Sequence, residues 1–221
     1  MDTADTPRLA EALAYAQRLH ADDVRKGAAG TPIPYIGHLL AVTALVVEDG
    51  GDEEEAVAAL LHDAAEDHGG HARLADIEQR FGDRVARIVE ACSDSLTAEG
   101  EKKADWHERK RRYLEALESP GHADALRVSA ADKVHNARAI VADYRLHGER
   151  LWERFRTRSA SDQFWYYAEL ARIHRAARPD SQLTAELTRS VGELAAMLLH
   201  AGYSLCVDGK ASSSRSPAAG A

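Results

Sequence analysis

The sequence predicts an all-α protein. Apolar residues recur at three- and four-residue spacing in nearly every stretch long enough to show a period, and no stretch alternates with β-branched enrichment. The length of 221 residues with 45% hydrophobic content is enough to bury a core in one domain.

The elements follow in order. From Pro7 to about Lys26, Leu9, Leu13, Ala16 and Leu19 mark one helical face, with Thr6 placed to cap the helix and Pro7 at its first position. The Gly- and Pro-rich segment RKGAAGTPIPYIGH, Arg25 to His38, reads as a loop that delivers Tyr35, Ile36 and His38 to a second helix running to about Glu48. EDGGD breaks the chain. A third helix, capped near Asp52, runs AVAALLHDAAED and is apolar almost all round in its middle, the mark of a central helix. Further helices are expected over about Ala72 to Arg80, Asp83 to Cys92, Asp105 to Glu118, His122 to Leu146, Ser159 to Ala177 and Gln182 to Ala201. The stretch from Lys210, KASSSRSPAAGA, lacks periodicity and reads as a disordered tail.

Composition narrows the class of function. With 28 Lys+Arg against 36 Asp+Glu the net charge is −8, and such a field repels nucleic acid and anionic membrane. Cys92 and Cys206 stand far apart and suggest neither a disulfide framework nor a thiolate zinc site. The N-terminus carries no apolar signal segment, and no stretch approaches the roughly 18 apolar residues of a membrane span. A soluble, unprocessed, cytoplasmic protein is expected.

Of eleven histidines, most, including His20, His71, His122, His147, His174 and His200, read as ordinary surface or core residues. His62 and Asp63 differ, because they interrupt the third helix where it should be most buried, and an ionised Asp there needs a cation or hydrogen bonds. Glu66 follows His62 by four residues and Asp67 follows Asp63 by four, so each pair shares a helix face. Solvated acids at a helix end are the plainer reading, but negative charge at a helix C-terminus opposes the helix dipole. In ADKVHN, Asp132 and Asn136 share a face of the long helix marked by Leu126, Val128, Val134 and Ile140. His38, His62, Asp63 and Asp132 together make an imidazole–carboxylate set suited to manganese, iron or magnesium.

In the order H…HD…D these four residues resemble the HD superfamily of metal-dependent phosphohydrolases. PYIGH, ALLHDAAED, FGDRVARIVE and ADKVHNAR are further similar to the signatures of the RelA/SpoT hydrolase domain, over about Leu9 to Arg175. The free-standing length resembles the small alarmone hydrolases of the metazoan SpoT-homologue type. The resemblance implies an HD-domain helical bundle with short loops, a single hydrolase domain over 1–205 and a tail over 206–221, with no room for a synthetase or regulatory domain.

It also implies roles. His38, His62, Asp63 and Asp132 would hold one divalent ion, usually manganese in that family, and Glu66 and Asp67 match the pair that positions and activates the attacking water. Arg25, Lys26 and Asn136 match nucleotide contacts, and Lys133 and Arg138 add cations for a dense polyanion. The implied reaction is hydrolysis of the 3′-pyrophosphate of ppGpp or pppGpp, an alarmone of the stringent response, to GDP or GTP and pyrophosphate. Another nucleotide substrate, or a non-catalytic nucleotide-sensing module, is the alternative. The partner expected is a small guanine nucleotide, not nucleic acid or membrane, and a homo-oligomer is compatible with the sequence.

Two departures from the family pattern stand out. Leu39 follows His38 where proline is usual, and His68 follows the Glu66–Asp67 pair where threonine or serine is common, reading as a loop residue. The basic run Lys102, Lys103, Arg109, Lys110, Arg111 and Arg112 around Trp106 faces either substrate or solvent. Phe164, Trp165, Tyr166 and Tyr167 are consecutive and read mostly as packing residues.

Overall fold

Seven consecutive residues of one helix, Glu55 to Leu61, are buried, and this helix (α3, Glu53–Leu61) is the axis on which the site is built. Its Ala- and Leu-rich sequence lets neighbours approach on every side: α1 (Pro7–Leu19), α2 (Ile36–Glu48) and α6 (Asp83–Cys92) all pack against it. The helix starts sharply. Asp52 accepts from the Glu55 N–H and donates its own N–H to the Glu55 side chain, both at 2.9 Å, a reciprocal cap of the kind worth about 1 kcal/mol. Glu55 is buried, and Arg127 compensates its charge while also donating to Asp49 at 3.2 Å.

The computed structural model describes residues 7–25, 32–97 and 103–205. The expected cap Thr6, the basic residues Lys26 and Lys102, Cys206 and the tail lie outside the described residues. The chain divides into two compact units, 1–135 and 136–221, with the boundary inside one continuous helix (α8, Leu126–His147). The first unit also holds a four-residue helix (α4, Ala64–Asp67), α5 (Gly70–Phe81), α7 (Trp106–Glu118) and a 3-10 segment over Pro120–Ala125. The second unit pairs α9 (Ala160–Ala177) with α10 (Gln182–His200), burying Phe164, Tyr167, Leu170 and Ile173 with Leu187, Leu194 and Leu198. The consecutive aromatics here are packing residues, except that Trp165 is only half-buried.

The all-helical reading holds, with three corrections. A two-residue antiparallel ribbon pairs β1 (Val24–Arg25) with β2 (Ile33–Pro34), where no sheet was expected; four residues are too few for an alternating pattern to register in sequence. A 3-10 segment, Gly148–Arg154, follows α8. The third helix does not run unbroken to Asp67. It turns at His62 and Asp63 before α4 begins, and there the Ala59 carbonyl accepts from the His62 ring at 2.8 Å, which offers the backbone an alternative to a plain helical ladder.

Candidate functional site

That turn aims two side chains at one point. A carbonyl oxygen only accepts, so His62 carries its proton on Nδ1 and presents the lone pair of Nε2 to the interior. His62 Nε2 is buried without a hydrogen-bond partner of good geometry, 3.0 Å from Asp63 Oδ2 and 3.7 Å from Asp132 Oδ1. His38, near the start of α2, brings its own Nε2 to 3.2 Å from Asp132 Oδ1 and 3.6 Å from Asp63 Oδ2. The ligand atoms of His38, His62 and Asp132 lie within 4.8 Å of one another, and Asp63 closes the group from the turn.

The field inside this cluster favours a cation. Burial opposes charge on His62, yet the nearby Asp63 and Asp132 carboxylates outweigh it and raise the imidazole well above its ordinary range, so Nε2 draws a cation, a proton or a metal ion. Burial likewise works against the carboxylates, but the His62 charge and the His38 and His62 hydrogen bonds hold Asp63 well below its usual range. Lys133 and the same two rings do so for Asp132. Two imidazole nitrogens and two carboxylates with compatible tautomers fit a borderline divalent ion.

Sequence reasoning missed the groups that orient this set. His135, one turn beyond Asp132, sits with Nδ1 2.8 Å from His38 Nδ1, and Arg25 Nη1 donates to His135 Nδ1 at 2.6 Å. Arg25 Nη1 also lies 3.1 Å from His38 Nδ1, so the guanidinium and the two Nδ1 atoms form one contact that orients both rings, with His38 Nε2 facing the carboxylates. Tyr35 is the other. Its hydroxyl donates to Asp63 Oδ2 at 2.5 Å, and burial together with the Asp63 charge raises its pKa, so it stays a donor. The only sequence signal for either was adjacency to a motif.

Glu66 and Asp67 part company with the four. Glu66 accepts from the Asp94 backbone N–H and from Lys103 Nζ, both at 3.0 Å, instead of sharing a face with His62. Gly70 makes that possible: with φ at +57° and no Cβ, it lets the Thr97 carbonyl approach to a position 2.6 Å from where a Cβ would stand, which seats the strand of chain carrying Asp94. Burial and the Asp94 charge raise Glu66. Asp67 is exposed, yet partial desolvation and the charges of Asp63 and Glu66 push its carboxyl up to about 7.

The basic run divides. Lys103 reaches Glu66, and Arg109 and Lys110 both pair with Asp94, the latter at 2.5 Å, while Arg111 and Arg112 stay on the exposed face. Lys133 binds the second oxygen of Asp132 at 2.5 Å and lies 5.1 Å over the Tyr113 ring. Arg25 is turned toward His38 and His135. Asn136 and Arg138 belong to the second unit, where Arg138 donates to Glu186 at 2.9 Å. His20, read as an ordinary surface or core residue, is buried and shares Asp23 with His68, at 2.7 and 2.6 Å.

Comparison with known proteins gives a consistent picture. A family model described as HD domain matches residues 12–160. The chain is similar to human guanosine-3′,5′-bis(diphosphate) 3′-pyrophosphohydrolase MESH1, at 36% identity over 62% of this chain and 72% of that protein. It is also similar to the bifunctional (p)ppGpp synthase/hydrolase SpoT of Escherichia coli K12, at 32% identity over 60% of this chain and 18% of that one. Among solved structures, a metazoan orthologue of SpoT that hydrolyses ppGpp superposes with a TM-score of 0.65 at 26% identity, covering 86% of this chain and 97% of that one.

Proposed function

Because the chain belongs to the HD domain family, we propose that it is a metal-dependent (p)ppGpp 3′-pyrophosphohydrolase. The observation that carries this reading is the convergence of His38, His62, Asp63 and Asp132 beside the Glu66–Asp67 pair, in a chain so similar to a ppGpp 3′-pyrophosphohydrolase. Water adds to the phosphorus on the ribose 3′-oxygen, the P–O3′ bond breaks, and the 3′-oxygen leaves with a proton, giving GDP or GTP and pyrophosphate.

His38, His62, Asp63 and Asp132 would hold a divalent ion, and manganese would suit their mixed donors. When bound, a divalent ion acidifies water and offsets charge on a phosphoryl oxygen. Glu66 and Asp67 accept the proton from the attacking water: burial and neighbouring carboxylates raise both above the ordinary carboxylate range, Asp67 to about 7, where a base is effective. Lys103 and Lys110 line the approach to Glu66 and offset the substrate's negative charge, and Arg25 and Lys133 add cations for the nucleotide's phosphates. Tyr35 fixes Asp63, and His135 with Arg25 orients the His38 ring. The setting is cytoplasmic; no helix among the described residues is long and apolar enough to cross a membrane.

The test supplies metal-stripped protein with manganese and ppGpp and resolves the products. GDP and pyrophosphate support the proposal; inert ppGpp with another nucleotide cleaved rejects it. His135→Ala is expected to weaken ion binding by about 10–100-fold, as loss of a ligand's orienting partner does, measured by manganese titration.

Ion removal also has a pH signature. In chelator-treated protein, His62 and Asp67 bind protons more tightly folded than unfolded, so their contribution is complete below the unfolded values of 6.5 and 3.8. It is lost as pH rises through the folded ones. The melting temperature of the stripped protein is expected to fall as pH rises through about 7, where the Asp67 contribution is lost, and further as His62 deprotonates above its ordinary range, with added manganese restoring it at the upper end. A flat profile, or no rescue by manganese, counts against the cluster as an ion site.

A further inference from the structure

His20, Asp23 and His68 lie outside the four-residue cluster, and no step of the proposed hydrolysis uses them. His20 and Asp23 share the turn between α1 and β1, and His68 closes α4, so two separate pieces of chain meet at one carboxylate oxygen. Asp23 Oδ2 is 2.7 Å from His20 Nδ1 and 2.6 Å from His68 Nε2, and the three ligand atoms lie within 4.8 Å of one another. The His20 side chain is fully buried, whereas Asp23 and His68 keep 36% and 27% of theirs exposed, so the cluster has a closed back and an open mouth.

We infer that His20 Nδ1, Asp23 Oδ2 and His68 Nε2 form a second divalent-metal site, of two imidazoles and one carboxylate, that takes zinc or a similar borderline ion. Two nitrogens and one carboxylate oxygen are the donor set of open zinc sites, with solvent in the fourth position. On a tetrahedral ion with bonds near 2.0–2.1 Å, ligand atoms stand about 3.3 Å apart, so Asp23 Oδ2, now 2.7 and 2.6 Å from the two ring nitrogens, must draw back by about 0.7 Å or more to admit the ion. Because a carboxylate only accepts, His20 Nδ1 and His68 Nε2 hold protons toward Asp23 when no ion is bound, and an ion at these atoms displaces both.

The rings are already held. His20 stacks on Tyr35 with centroids 5.1 Å apart and planes 22° apart, and meets His68 edge-on at 4.7 Å. Tyr35 is the residue that donates to Asp63. An ion here ties α1, the ribbon and α4 together and sets a second positive charge one aromatic ring away from the first cluster. A hydrogen-bonded His–Asp–His network without metal is the competing account.

The inference does not depend on the hydrolase reading, and its test reads metal alone. Full-length protein, stripped and then dialysed against zinc, is analysed for bound metal per chain alongside His68→Thr, His68→Gln and Asp23→Asn. Two ions in the unaltered protein and one in each variant are expected, with metal-free melting curves of the His68 variants confirming that they fold. Crystals soaked in zinc should show anomalous density between the three named atoms. One ion per chain in the unaltered protein, or two that survive both His68 substitutions, overturns the inference in favour of the hydrogen-bonded network.

Discussion

Asp132→Asn is expected to remove tight binding of the divalent ion and, with it, more than about 100-fold of the ppGpp hydrolysis rate, since even an orienting partner of a ligand is worth about 10–100-fold. Asp132 is buried, with one oxygen 3.2 Å from His38 Nε2 and 3.7 Å from His62 Nε2 and the other bound by Lys133. The amide keeps the volume but loses the charge. Lys133 is then left half-buried against a neutral group, and a single carboxylate, Asp63, remains to offset the ion. Metal content and rate should fall together, and excess manganese should restore part of the rate. An Asp132→Asn protein that retains its ion at unchanged affinity would remove this residue from the ligand set.

Glu66→Gln separates rate from binding. The amide oxygen can still accept from the Asp94 N–H, so the local fold is kept, but it cannot take up a proton. Removing a positioned base lowers kcat by about 10²–10⁴-fold. Manganese content and KM should remain close to those of the unaltered protein, because Glu66 makes its contacts with Asp94 and Lys103 and not with the four-residue cluster. Ion loss in this variant would place Glu66 in the wrong role.

Much of the helical scaffold was legible, because burial imposes a period on sequence. Asp83–Cys92 coincides with its expectation, and the neighbouring helices differ by a few residues at their ends. The side chains worth examining were legible too, since a His–Asp doublet on an apolar helix has a desolvation cost that demands a partner. What the sequence could not carry is contact between distant residues. His68 and Asp23 are 45 positions apart, and Arg25 and His135 are 110 apart; neither pairing leaves a periodic trace. The turn at His62–Asp63 was hidden for another reason. A side chain competing for one carbonyl changes the path of the backbone without changing its hydrophobic pattern. Glu66 was therefore assigned a neighbour by ideal helical geometry that the turn takes away.

The alanines of α3 bear on how such a protein can diversify. Ala56, Ala58 and Ala59 are wholly inaccessible, and three helices press on the segment that ends in His62. Any larger side chain there overpacks the core and moves the imidazole with it. New substrate preferences must then arise by drift in the peripheral connections, around the ribbon and the chain preceding α7, while the axis stays frozen. Lineages of this architecture should vary at the rim and be nearly invariant along that one buried helix.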